Sequence, residues 1–398
     1  MSKSSRSGFF PNRSVRFVSG NQISLLQNGD MFFPALEAAI HHAQQEIFME
    51  MYIFFDDEIG NRIASALEAA AKRGVKVRLM LDAFGSNATP RKFFSKMESA
   101  GASIHFYRPK QGLLHLKRNR LRRLHRKLVC VDGTIAFAGG INIQDDLDVP
   151  GITQPRFDYA VQIYGPLVEE VREQMAWLWQ LLDWTRQQNR PEKLLSSIVP
   201  VPAGKQRAAL VIRDNLFHRR DIERAYLSAI GHARHEIIIA NAYFVPGRRI
   251  RRALIEASHR GVKVILLLQG RVDQWLQHFA TLALYGQLLS EGISIYEYQV
   301  ANIHAKAAVI DSHWATVGSS NLDPFSLVLS REANVVVEDK AFAAELRESL
   351  CRAMEKQSGK VDTESWNRRN SLEKIRDWMA YGIVRILAAI ASPKDRIY

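Results

Sequence analysis

The chain has 398 residues, 47% apolar and 24% charged, which excludes a disordered, collagen-like or multispan membrane protein and leaves room for about two to three domains. Lys and Arg number 54 against 41 Asp and Glu, a net charge of +13 that favours polyanionic partners, either nucleic acid or an anionic membrane surface. Only Cys130 and Cys351 occur, which excludes a disulfide framework and a Cys-x-x-Cys metal knuckle and suits a reducing compartment.

Residues 1–23 form a basic N-terminal segment with no apolar stretch behind it, so no secretory signal peptide is expected. No run reaches the ~18 consecutive apolar residues of a membrane-spanning helix. From Ser24 onward the chain repeats itself. A helix over Phe33–Gln45 and a strand FMEMYIFF are matched by a helix over Ile222–His235 and a strand IIIANAYFV. Next come helices Ile59–Arg73 and Arg248–Arg260, ended by Gly74 and Gly261 as C-caps, and the strands VKVRLMLD and VKVILLLQ within the twice-occurring block RGVKV. The offset between copies falls from 190 to 187 to 179 residues along the chain, so the first copy carries insertions that loops absorb. Strand, helix, strand with near-continuous apolar strands is the pattern of an α/β unit whose sheet is covered on both faces. The fold class expected is α/β, two duplicated α/β/α units side by side. The first spans 24–183 and the second 207–358. Between them is a linker at 184–206 marked by Pro191, Pro200, Pro202 and Gly204, and a C-terminal segment occupies 359–398.

The third repeated block is HRKLVCVDGTIAFAGGIN in one half and HAKAAVIDSHWATVGSSN in the other; both fit H-x-K-x4-D-x6-G-[GS]-x-N. Each reads as a hairpin turning at Asp132-Gly133 or Asp311-Ser312. Residues two apart on a strand share a face, so His125 and Lys127 point together, as do His304 and Lys306. A two-residue turn would set His125 opposite Gly140 and His304 opposite Ser319, with Asn142 and Asn321 just beyond. An imidazole can be nucleophile, acid or base near neutral pH, and a lysine beside it supplies positive charge for a phosphoryl oxygen. A lysine two residues along also repels a cation, so no metal and no cofactor is expected. His41, His42, His232, His235 and His313 are read as structural, and Cys130 as core packing.

The duplicated H-x-K-x4-D with its trailing Gly and Asn resembles the signature of the phospholipase D superfamily, over roughly Ser24 to Asp339. The segments RDN at 213–215, IER at 222–224 and RFDYAVQIYGPLVEEV at 156–171 look most like bacterial cardiolipin synthases, particularly the B type that lacks an N-terminal membrane anchor. The resemblance implies two mixed sheets flanked by helices and packed with pseudo-two-fold symmetry. It also implies a metal-free, two-step phosphodiester exchange through a phosphohistidine. By that resemblance His125 is the nucleophile and His304 the general acid and base, while Lys127, Lys306, Asn142 and Asn321 hold the phosphoryl oxygens. Asp132 and Asp311, out of phase with the histidines and at the turns, would each orient a histidine. Ser319, where the first copy has Gly140, makes the half-sites unequal and joins the substrate-contact set. Glu332 is a candidate carboxylate behind the site, the alternative being an ordinary surface or sheet-edge acid.

The motif fixes a reaction type and leaves the substrate to flanking sequence. Arg108 to Lys127 carries nine Lys or Arg and no acid, interleaved with leucines, which suits a segment lying in a lipid interface. Arg248, Arg249, Arg251 and Arg252 form a further basic cluster. IRDWMAYGIVRILAAIA at 375–391 reads as an amphipathic membrane-surface helix, the alternative being a helix packed on the protein's own core. Aromatic stacking platforms for single-stranded nucleic acid are not evident, which ranks lipid above nucleic acid. The expectation is a peripheral phosphatidyltransferase on the cytoplasmic side of the cell membrane. It would join two phosphatidylglycerol molecules into cardiolipin, one chain supplying the whole active site. A phospholipase D that uses water and a basic nuclease on the same fold are the alternatives.

Overall fold

The computed structural model describes residues 15–108, 122–147, 154–185 and 201–391. The start of the N-terminal segment, most of the basic leucine-rich run, most of the proline-containing linker and the last seven residues lie outside the described residues. The first half contains β1 (Val18–Gln27), α1 (Asn28–His42), β2 (Glu46–Met51), α2 (Glu58–Lys72), β3 (Lys76–Asp82) and α3 (Arg91–Ser99). It continues with β4 (Ser103–Tyr107), β5 (Leu128–Val131), β6 (Ile135–Gly139), β7 (Tyr159–Tyr164) and α4 (Leu167–Thr185). The second repeats that order with β8 (Gln206–Arg213), α5 (Asp221–His232), β9 (Glu236–Asn241), α6 (Arg248–His259), β10 (Lys263–Gln269) and α7 (Trp275–Ser290). Then come β11 (Ser294–Tyr298), β12 (Lys306–Ile310), β13 (Trp314–Gly318), α8 (Pro324–Val328), β14 (Glu332–Glu338) and α9 (Lys340–Gln357). After it come β15 (Ser358–Lys360), α10 (Thr363–Asn367) and α11 (Ser371–Ala391).

The two units are joined edge to edge. All strands form one mixed sheet in the order β15-β11-β10-β9-β12-β13-β14-β8-β1-β7-β6-β5-β2-β3-β4. Read outward from the β8–β1 seam, where Val18 pairs with Ala208 and Asn21 with Gln206, the two halves run through equivalent strands. That is the pseudo-two-fold the duplication implies. One core, containing Val168, Met175 and Trp179 from α4 and Phe342, Leu346 and Leu350 from α9, spans both halves on one face. The other face has a separate core in each half, under α1, α2 and α3 and under α5, α6 and α7. The α2 register follows from its sequence: Ile63, Ala66, Leu67 and Ala70 form the buried stripe, and Asp57 caps the start by accepting from Gly60 N at 2.7 Å. Gly74 and Gly261 end α2 and α6 at φ of 92° and 87°, the left-handed conformation a C-cap glycine supplies without strain.

The strands expected to run through FMEMYIFF and IIIANAYFV stop at Met51 and Asn241. Beyond them the chain leaves the ladder and pairs at single points, Phe54 with Ile143 and Phe244 with Leu322, next to the repeated motif. The hairpins also differ from expectation by one residue. Val131 pairs with Ile135 and Ile310 with Trp314, so each turn holds three residues and the expected pairing of His125 with Gly140 and His304 with Ser319 is displaced. Asp132 and Gly133 both take positive φ, as do Asp311 and Ser312, which accommodates the third residue in a tight turn.

Helix α11 packs on α7 through its small face. Asp377, Ala380, Val384 and Ala388 are buried, while Leu372, Ile375, Trp378, Met379, Ile386 and Ile390 are each more than half exposed. This is the reverse of an ordinary surface helix, which turns its large apolar residues inward.

Candidate active site

The two histidines are brought together by backbone that crosses between the halves. Leu124 bridges Arg331, and Phe157 bridges Ile303. His125 N then donates to Arg331 O at 2.9 Å and His304 N to Phe157 O at 2.7 Å. Each crossing strand delivers a carboxylate one residue later. Glu332 Oε2 lies 3.0 Å from His125 Nδ1, and Asp158 Oδ2 lies 2.6 Å from His304 Nδ1. Each imidazole is therefore oriented by the opposite half, leaving its Nε2 for chemistry. Side-chain exposures of 15% for His125 and 20% for His304 leave a narrow approach to those rings.

The motif aspartates do something else. Asp132 accepts from the backbone amides of Gln44, Gln45 and Glu46, and Asp311 from those of Arg234, His235 and Glu236. Their carboxylates tie the hairpin turn to the loop entering β2 or β9, far in the ladder from the histidine end. The orienting role expected of them belongs to Glu332 and Asp158. Glu332 is fully buried, which removes the surface-acid alternative. Sequence reasoning missed Asp158, although aligning FDYAV with REANV across the repeat sets it against Glu332.

Lys127 and Lys306 are buried and fold back on the carbonyls of His125 and His304, Lys127 Nζ at 2.8 Å. Two of the three protons on each ammonium remain for a phosphoryl group. Asn142 accepts from Ile53 N at 3.3 Å, and Asn321 is buried with its Oδ1 unpaired among the described residues. Ser319 Oγ accepts from Ala333 N at 3.0 Å and donates to Glu332 Oε2 at 2.5 Å. In the other half Gly140 takes that place because a Cβ there would lie 2.3 Å from Asp158 Oδ1. The inequality of the copies is thus a different packing behind each carboxylate.

The groups control one another's charge. Burial lowers both imidazoles, His304 well below the ordinary histidine value with Lys306 and Arg156 adding to the effect, whereas Glu332 partly restores His125. Burial raises Asp158 to about 7 against the pull of Lys306, and lowers Lys127 to about 7 and Lys306 to about 8. Tyr52 stacks edge-on to His125 with centroids 4.7 Å apart, and Lys127 Nζ sits 5.3 Å from its ring centroid. Among the described residues no cluster of His, Cys, Asp or Glu is grouped to hold a metal ion.

The RDN triplet supports the site from behind. Arg213 donates to the carbonyls of Val328 and Ser330, and Asn215 Nδ2 to Leu329 O at 3.2 Å. These bonds clamp the segment that leads into Arg331 and Glu332.

Comparison with known proteins gives the family and the fold. The family model described as cardiolipin synthase, PLD-like domain, matches residues 36–179 and again 226–354. Cardiolipin synthase B of Salmonella typhi is 39% identical over 375 residues, covering 93% of this chain and 89% of the relative; the Escherichia coli K12 protein of that name is 38% identical over the same span. Among solved structures, phosphatidylserine synthase of Haemophilus influenzae superposes with a TM-score of 0.66 at 12% identity, covering 94% of this chain and 97% of that one.

Proposed function

Because the chain belongs to the cardiolipin synthase family of phospholipase D-like proteins, we propose that its paired histidines transfer a phosphatidyl group from one phosphatidylglycerol to another and release glycerol. It is a phosphatidyltransferase, and the observation that carries the mechanism is the crossed pairing of each histidine with the opposite half's carboxylate. One chain supplies both half-sites.

His125 is the proposed nucleophile. Glu332 already accepts the Ser319 hydroxyl proton on the oxygen that faces His125, which favours a proton on His125 Nδ1 and a free lone pair on Nε2. That nitrogen attacks phosphorus, the P–O bond to glycerol breaks, and His304 delivers a proton from Nε2 to the departing oxygen while Nδ1 takes one from Asp158, whose carboxyl burial raises to about 7. In the second step His304 takes the proton from the acceptor's hydroxyl, that oxygen attacks phosphorus, and the P–N bond breaks. Lys127, Lys306, Asn142 and Asn321 hold the non-bridging oxygens as charge moves through them.

No described helix is long and apolar enough to cross a membrane. The outward apolar face of α11 supports peripheral attachment, as does the neighbouring basic α6, whose Arg251 donates to Tyr381 of α11 at 3.3 Å. Lipid takes up the apolar residues and anionic headgroups meet the arginines. The proposed side is cytoplasmic, where the two free cysteines stay reduced.

The test is mass spectrometry of the products formed on phosphatidylglycerol vesicles with a chelator present. Cardiolipin and glycerol, both abolished by His125→Ala or His304→Ala, are expected. Phosphatidic acid as the sole product would make the protein a hydrolase, and no lipid turnover by membrane-bound protein would overturn the reading.

A further inference from the structure

The half-sites also differ at the position one residue before each carboxylate. In the His304 half that residue is Phe157, stacked on Tyr298 with centroids 5.1 Å apart. Its counterpart is Arg331, only 6% exposed, whose Nε donates to Tyr107 Oη at 3.3 Å and whose guanidinium lies 5.6 Å from the Trp177 ring centroid. The fold itself accepts an aromatic pair here, so a buried guanidinium is not required for packing, and burying it is costly.

More arginine surrounds it. Arg108 lies over the Tyr107 ring at 5.5 Å, and Arg331 N donates to Arg123 O at 2.8 Å, beside Arg122. Arg219, bonded through Nε to Asn215 O at 3.2 Å, faces the same place. The equivalents of Arg108 and Arg122 in the other half are Gln299 and Ala301. None of Arg108, Arg122, Arg219 and Arg331 makes an ion pair with a described carboxylate. Of the acids that act on Arg331, Glu50 is paired with Arg126, and Asp214 is committed to the amides of Leu216, Phe217 and His218. The mutual repulsion is visible in two groups: Arg122 is lowered by burial together with Arg108, Arg219 and Arg331, and Tyr107, although burial raises it, is drawn below its ordinary value by Arg331 and Arg108. Like charges held together in a partly buried place are stabilised by an anion, and guanidinium forks suit phosphate oxygens. The rim is apolar: Phe84, under the Arg123 guanidinium at 4.4 Å, is half exposed, and Leu216 and Phe217 are exposed.

We propose that Arg108, Arg122, Arg219 and Arg331 form a second phosphate site, flanking the reaction centre, that takes the phosphodiester of the acceptor lipid. This rests on the transferase reading above, since that reaction brings in a second lipid with a phosphate of its own while the lysines are occupied by the first. The apolar rim selects a lipid headgroup over a free phosphate ion.

The experiment compares two outputs of the full chain on phosphatidylglycerol vesicles. One is exchange of labelled glycerol into phosphatidylglycerol, which needs only the donor lipid; the other is cardiolipin formation, which needs the acceptor. Arg122→Gln and Arg219→Gln, away from the packed interior, are expected to lower the ratio of cardiolipin formed to glycerol exchanged ~10-fold, with a raised KM for lipid in the cardiolipin assay. Arg331→Gln with retained thermal unfolding should do the same. An unchanged ratio overturns the proposal. Inorganic phosphate that raises the thermal unfolding of the wild type but not of the variants, with the ratio unchanged in the variants, would assign the cluster to free phosphate and overturn the lipid assignment. Absence of both outputs in the wild type would instead refute the transferase reading.

Discussion

Gly140→Ala probes the geometry behind His304 without touching any catalytic group. A Cβ at this position would lie 2.3 Å from Asp158 Oδ1, 2.6 Å from Oδ2 and 2.8 Å from Cγ. To reach ordinary contact the carboxylate must retreat by about 1 Å. It cannot move toward His304, because Oδ2 already stands 2.6 Å from Nδ1. Retreat therefore stretches that bond beyond useful length. Loss of a hydrogen bond involving a charged group is worth about 1.5–3 kcal/mol, which corresponds to a ~10- to 150-fold fall in kcat. The assay is steady-state cardiolipin formation, with urea unfolding of the same protein to normalise for folded enzyme. Ser319→Gly is the contrasting variant: it deletes one donor to Glu332 and leaves the His125 contact in place, so the expected loss is nearer 5-fold, about 1 kcal/mol. If folded Gly140→Ala kept its activity to within a factor of about two, Asp158 would not be what holds His304 in a working orientation.

Asp311→Asn should cost stability and spare chemistry. Burial raises this carboxyl, but the amides of Glu236, Arg234 and His235 outweigh that and leave its pKa below 3.8. The stabilisation is therefore present above pH 3.8 and lost as pH falls through the depressed value; the variant's urea midpoint should drop by about 1–2 kcal/mol equivalent, with kcat per folded molecule retained. A collapse of kcat with an unchanged midpoint would return the motif aspartates to a catalytic role. For the pH profile, burial holds His125 below the ordinary histidine value, so kcat/KM should show no acid limb above pH 6.5. On the alkaline side it should fall as Asp158, which supplies the proton of the His304 acid, and Lys127 deprotonate at about 7 and Lys306 at about 8, and Lys306→Arg should remove the lysine part of the limb near 8. An acid limb above pH 6.5 would contradict the assigned histidine environment. Replacing Ile386 and Met379 with Asp, at 61% and 62% exposure, should leave thermal unfolding intact and weaken co-sedimentation with anionic vesicles by roughly 30-fold, about 1 kcal/mol per side chain; unaltered sedimentation would remove α11 from the membrane contact.

The duplication was legible in the chain because repeated spacing survives divergence: RGVKV, the alanine-rich helices and the two His-Lys pairs mark equivalent elements without any knowledge of contacts. The periodicities also gave the α/β units and their glycine-ended helices, since helix and strand burial are local patterns. Register at the hairpins was decided by something nonlocal. A single carboxylate at Asp132 or Asp311 binds three amides from a loop some 80 residues away in sequence, and that holds a third residue in the turn. Partnership at the histidines was decided in the same way. Nothing in the sequence near His304 announces Asp158, because the carboxylate arrives on a strand crossing from the other half, and its identity as a partner exists only once β1 and β8 close the two sheets into one. The outward face of α11 is a further case: the sequence shows that the helix is amphipathic, but only packing against α7 shows that its small face is the buried one. The sequence by itself thus determined the reaction chemistry and the repeat that carries it. The tertiary structure decided which groups orient which, because hydrogen bonds across the seam depend on distance in space and leave no spacing along the chain to read.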